Sequence, residues 1–106
     1  MDEKKVIGMS GRSEIKVPGG KLIRVDCVVV NGIVASLIIT GDFFLHPEDG
    51  IQELEKEIMM LRAEPEILHS HVMSFFQKGY KLVGAQPEDL AKAVVEAARQ
   101  ARRKQA

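Results

Sequence analysis

Asn31-Gly32 sits between two long apolar runs, residues 21–30 and 33–40, and it constrains the fold more than any other dipeptide in the chain. A two-residue type I′ loop needs positive φ at both central positions, and Asn-Gly supplies that at least cost. The two runs are therefore predicted to pair as an antiparallel hairpin. With a strict two-residue loop Val30 faces Ile33, Val28 faces Ala35, Asp26 faces Leu37 and Arg24 faces Ile39. Side chains alternate along a strand, so Ile23, Val25, Cys27 and Val29 share one face with Val34 and Ile38. The opposite face then carries Leu22, Val28, Val30, Ile33, Leu37 and Ile39, beside Arg24 and Asp26.

A second turn lies upstream. Pro18 presets one turn dihedral, and Gly19 and Gly20 accept positive φ, so a short strand over residues 14–17 is predicted to pair with the run after Lys21. Residues 1–12 hold Gly8, Ser10 and Gly11 among polar side chains and read as a loosely ordered lead-in, with Val6-Ile7 as a short strand at most. Residues 13–106 then form one domain.

Three helices follow, each opened by a proline among acids: Pro47-Glu48-Asp49, Pro65-Glu66 and Pro87-Glu88-Asp89. A first-turn proline loses no intrahelical bond, and carboxylates suit the positive end of the helix dipole. Helical spacing selects Ile51, Leu54, Ile58 and Leu61 in the first helix, and Leu68, Val72, Phe75 and Phe76 in the second, which stops at Gly79. The third buries Leu90, Val94, Ala97, Ala98 and Ala101, after a short extended segment at residues 80–83. Strands followed by helices define an α+β fold, an antiparallel meander of about three strands with three helices on one face. The other face keeps several large apolar side chains, which a soluble monomer rarely leaves in one patch. Either a protein partner covers it, or the last helix or the N-terminal segment folds over it.

The chain offers little for catalysis. Its 15 basic and 15 acidic residues cancel, so bulk charge gives no reason to expect a nucleic-acid or membrane partner. No long apolar run follows the charged N-terminus. Cys27, the single cysteine, falls on the core face and fits a reducing cytoplasm. His69 and His71 point about 200° apart on a helix and cannot chelate one ion, and His46, before Pro47, reads as an N-cap-like residue in preference to a partner contact. No metal site is expected. Pro18-Gly19-Gly20-Lys21 lacks the P-loop and dinucleotide patterns. The basic C-terminal cluster complements its helix dipole and has no aromatic platform for bases.

The run Val17-Pro18-Gly19-Gly20-Lys21-Leu22-Ile23-Arg24-Val25-Asp26 resembles the opening of the accessory (C-terminal) domain of lipoate–protein ligase. Asn31-Gly32, Thr40-Gly41-Asp42-Phe43-Phe44, the acidic segment 47–61 and Gln86-Pro87-Glu88-Asp89-Leu90 follow in that family's order. The chain has its own Met1 and no room for a ligase catalytic domain, so it resembles the separate small subunit of a two-chain ligase. The resemblance implies a fold similar to sulfur-acceptor and iron–sulfur scaffold proteins. It also implies a cytoplasmic heterodimer with a large catalytic subunit, assisting ATP-dependent activation of lipoate to lipoyl-adenylate before transfer to a lysine of lipoyl-acceptor proteins. Catalytic groups, ATP, divalent metal and lipoate would then belong to the partner, and this chain would have no catalytic residue. The residues expected to bind the partner or order its activation loop are Gly19, Gly20 and Lys21, then Asp42, Phe43 and Phe44, with Leu37 and Ile39 on the apolar face. A stand-alone sulfur-metabolism scaffold or carrier, or a small self-associating domain, are the alternatives.

Overall fold

Both predicted turns form, and both use the residues that the sequence supplies for them. Asn31 and Gly32 take φ of 53° and 77°, and Gly19 and Gly20 take 95° and 85°. The computed structural model describes residues 8–104. Around these turns β1 (Met9–Lys16), β2 (Leu22–Val30) and β3 (Ile33–Gly41) make an antiparallel sheet in the order β1-β2-β3. A two-stranded ribbon of β4 (Phe44–His46) and β5 (Lys81–Val83) lies apart from it. Three helices complete the α+β fold: α1 (Gly50–Ile58), α2 (Pro65–Phe76) and α3 (Pro87–Arg103).

The hairpin register departs from strict alternation. Val30 faces Ile33 and Val29 faces Val34, but Val28 faces Ser36, so Ala35 is an extra residue in a β-bulge. Beyond it Cys27 faces Leu37 and Val25 faces Ile39. Uninterrupted alternation would have turned Ser36 and Ile38 inward behind Val34. The bulge instead buries Leu37 and Ile39, which keep 3% and 4% of their surface, and leaves Ile38 52% exposed. Burying a large aliphatic side chain contributes roughly 1.5–3 kcal/mol, whereas an unpaired buried hydroxyl costs about 1–3 kcal/mol. One inserted small residue therefore exchanges an unfavourable core face for a favourable one. Leu37 and Ile39 are thus core residues, and their expected place on the open face is corrected.

β1 starts at Met9, inside the segment expected as lead-in, and its alternating face explains why its sequence hides a strand. Gly11, Ser13 and Ile15 point toward α3, where a Cβ on Gly11 would come within 2.0 Å of the Ala97 carbonyl oxygen. Ser13 donates its hydroxyl to the Ala93 carbonyl at 2.7 Å. The stripe Ala93, Ala97 and Ala101 lets the helix backbone lie almost on the strand, a close approach that requires small residues on both sides. The possible strand at Val6-Ile7 lies outside the described residues.

The core is a sandwich of this sheet face and the three helices. Ile23, Val25 and Val29 of β2 meet Val34, Leu54, Ile58, Leu68, Val72, Phe75, Leu90 and Val94, all buried. α2 and α3 begin at their prolines as expected. α1 does not: His46-Pro47 is a cis bond, a turn closes from Gly50 N–H to the Pro47 carbonyl at 2.9 Å, and the helix starts at Gly50. His46 therefore ends β4 and is not an N-cap. Leu61 lies beyond α1, in a segment that hydrogen-bonds to the outer edge of β3, where Val34 N–H reaches the Leu61 carbonyl at 2.9 Å. Further along that edge the Glu55 carboxylate accepts the Ile39 N–H at 2.8 Å.

The opposite sheet face is more polar than the sequence reading held. Arg12 pairs with Asp26 and Arg24 with Glu14, both at 2.8 Å across β1 and β2. The Asp26 carboxylate raises the pKa of the Arg12 guanidinium. α3, a candidate cover for this face, packs on the core side, and no described element covers the face. The N-terminal residues proposed as the other cover lie outside the described residues.

Candidate functional site

One end of the sheet gathers the residues that the sequence singled out. The β1–β2 turn and the end of β3 are adjacent because Ile23 pairs with Gly41. The turn itself is closed by Val17 N–H to the Lys21 carbonyl at 2.9 Å and Gly20 N–H to the Val17 carbonyl at 3.0 Å. Asp42 N–H then bonds the Leu22 carbonyl at 3.0 Å, fixing the exit of β3 beside the turn. Phe43 is half-buried here, its ring against Gly41 and its backbone against Gly84 of the segment after β5. The aliphatic stem of Lys21 reaches the same glycine. Gly19, Lys21 and Val83 to Gln86 line a 650 Å³ groove that ends at Asp89 on α3. Asp89 accepts the Gln86 N–H at 2.9 Å, which anchors the groove wall to the helix start.

The ribbon beside this groove carries an exposed apolar pair. Phe44 faces Val83 across β4 and β5, and they are 65% and 53% exposed. Their neighbours Leu45 and Leu82 point inward, and the stacked rings of Phe75 and Tyr80, 4.1 Å apart, hold the chain between α2 and β5. Six of the expected residues, Gly19, Gly20, Lys21, Asp42, Phe43 and Phe44, thus sit at one end of the molecule. Leu37 and Ile39 lie in the core instead. The extended segment at residues 80–83 was expected, but its place beside the turn, with Val83 and Gly84 as a wall of the site, was not. A three-residue strand carries no periodicity, although Leu82-Val83-Gly84 ahead of a helix start was a visible trace.

The side chains usually asked to do chemistry are otherwise engaged. Cys27 is 2% exposed, and burial pushes its thiol up to about 11. His69 Nε2 lies 3.0 Å from both oxygens of Glu88 on the helix surface. Among the described residues no three His, Cys, Asp or Glu side chains are grouped to hold a metal ion, and no helix is long and apolar enough to cross a membrane. The Cys27 geometry gives a pH dependence. The folded thiol binds its proton above the unfolded value of 9.0, so its contribution to stability is complete below pH 9 and is lost between pH 9 and about 11. Urea titrations of wild type and Cys27→Ala should show their stability difference shrinking across that window, and a constant difference would refute the assignment.

The fold and this end of it define a small α+β domain whose exposed features are a tight glycine turn, a shallow groove and an apolar ribbon. No family profile matches the chain. Lipoate-protein ligase A subunit 2 of Thermoplasma acidophilum is 33% identical over 73 residues, which is 69% of this chain and 76% of that protein. A solved chain from the bi-partite lipoate protein ligase and E2 lipoyl domain system of the same organism superposes with a TM-score of 0.68 at 28% identity, covering 85% of this chain and 97% of that one. The chain belongs to the family of lipoate–protein ligase small subunits.

Proposed function

We propose that this chain is the non-catalytic small subunit of a two-chain lipoate–protein ligase. It works with a large catalytic subunit in the ATP-dependent activation of lipoate to lipoyl-adenylate, before transfer to a lysine of an acceptor domain. The observation that carries the reading is the likeness to a solved chain from a bi-partite ligase system, 97% of which is covered.

The residues here do not suit a nucleotide. A phosphate loop needs backbone N–H groups directed outward, whereas the amides of Val17 and Gly20 close their own turn. In this reading ATP, divalent metal and lipoate are bound by the large subunit, and this chain contributes surface. Gly19, Gly20 and Lys21 in the turn, with Asp42, Phe43 and Phe44 at the strand exit, are the proposed contact residues. A docked domain can raise the activation rate only by binding the competent arrangement of its partner more tightly, and couplings of about 1–3 kcal/mol are typical. Closing over the partner's site would also keep water from the mixed anhydride.

Lipoate-dependent pyrophosphate exchange by the large subunit tests this directly. The exchange should require both chains, and an equal rate from the large subunit alone would overturn the reading. Within the complex, Phe44→Ser should weaken association about 30-fold by calorimetry, the range of an aromatic anchor residue. Its circular dichroism should be unchanged, because Phe44 is exposed.

A further inference from the structure

A second groove runs along the flank of α3, away from the ribbon. Its two sections, 740 and 380 Å³, adjoin at Pro65, Val95 and Arg99. The floor is apolar, made by Ile15, Pro65 and Val95, while the rim is charged. Lys92 stands at one end and Arg102 and Arg103 at the other, about 16 Å apart along the helix axis.

Charge accounting around the rim is unequal. Glu96 is neutralised by Arg99 at 3.1 Å, and His69 meets Glu88 outside the groove. Arg102 donates to the Ala63 carbonyl at 3.0 Å, which leaves its charge uncompensated. Lys92 and Arg103 have no ion-pair partner among the described residues. Three uncompensated cations thus face a single uncompensated carboxylate, Glu66. The sequence reading assigned the C-terminal cations to the helix dipole, and the fold gives them this additional place.

We propose that this groove receives an acidic, apolar-centred surface of the lipoyl-acceptor domain, an inference that rests on the ligase reading above. The chemistry argues for a transient protein partner. Permanent subunit contacts are large and apolar, whereas a charged rim around a small apolar floor steers rapid, short-lived encounters. No Phe, Tyr or Trp lines the groove to stack a base, and the His69 ring is held by Glu88, so single-stranded nucleic acid is poorly served. Placement supports the same occupant. Lys92 lies three residues beyond Asp89, which closes the groove at the sheet end, so an acceptor held along α3 is led toward the end proposed above for the catalytic subunit.

The test uses the assembled two-chain enzyme with Lys92→Glu combined with Arg103→Glu, both exposed positions. The probe is an E2 lipoyl domain from the organism that supplies both ligase chains. KM for that domain in lipoyl transfer should rise roughly tenfold, with kcat and acceptor-free pyrophosphate exchange unchanged. Raising salt should increase the wild-type KM and leave the variant's nearly flat. An unaltered KM overturns the proposal. So does a parallel fall in pyrophosphate exchange, which would give the groove to the catalytic subunit, or salt-dependent RNA binding lost in the variant while KM stays constant. Failure of the ligase reading shows separately, as wild-type exchange indifferent to this chain, and it removes the groove proposal with it.

Discussion

Leu37→Asp is expected to leave the chain largely unfolded at room temperature, whereas Ile38→Asp, one residue on, should fold normally. The contrast follows from the bulge at Ala35, which turns Leu37 into the core and Ile38 out of it. Truncating a buried leucine costs about 2–5 kcal/mol, and a carboxylate in its place must also be desolvated or protonated. The sum exceeds about 5 kcal/mol, which consumes most of the stability of a domain this size. At Ile38 the same substitution touches solvent and should stay within about 0.5 kcal/mol. Urea denaturation followed by circular dichroism separates the two. Equal tolerance at both positions, or the reverse order, would refute the bulged register.

Gly11→Ala should destabilise the protein by about 3 kcal/mol, although alanine in a strand normally improves on glycine by roughly 0.5–1 kcal/mol. The added methyl would lie 2.0 Å from the Ala97 carbonyl oxygen and 2.5 Å from the Ala101 nitrogen. Those are helix backbone atoms and cannot rotate aside, so α3 must lift from β1. The measurement is the urea midpoint at unchanged slope, with Ser13→Ala as the reference, where one hydrogen bond to Ala93 is lost at about 1 kcal/mol. A Gly11→Ala variant as stable as wild type would mean that the helix does not approach the strand this closely.

What the sequence made legible was local chemistry with a stereochemical requirement. Asn31-Gly32 and Gly19-Gly20 specified their turns because few residues tolerate those dihedrals, and Pro65 and Pro87 marked helix starts for the same kind of reason. The buried stripe of α3 followed from its spacing. Features set by tertiary contact were hidden. The bulge satisfies the core rather than any local preference, although the spacing Val34, Leu37, Ile39 carries its trace. The second half of β1 was legible as a strand, but its first half reads as a polar lead-in because proximity to α3 demands small residues such as Gly11, which have little strand propensity of their own. Pro47 looked like the other helix-opening prolines, yet it sits in a turn ahead of α1. At the candidate site the family resemblance brought together the turn and the strand exit. The opposing wall at Val83 and Gly84 depended on how a three-residue strand pairs across the chain.

The seam between β1 and α3 has a consequence for how the molecule is made. Ser13 and Ala93 touch across a separation of 80 residues, so the meander alone has nothing to lay over its greasy side. A nascent chain emerging from the ribosome must therefore hold an unfinished sheet until α3 is synthesised. That interval is when it would engage chaperones or proteases, and fragments cut before Pro87 should be recovered as insoluble material.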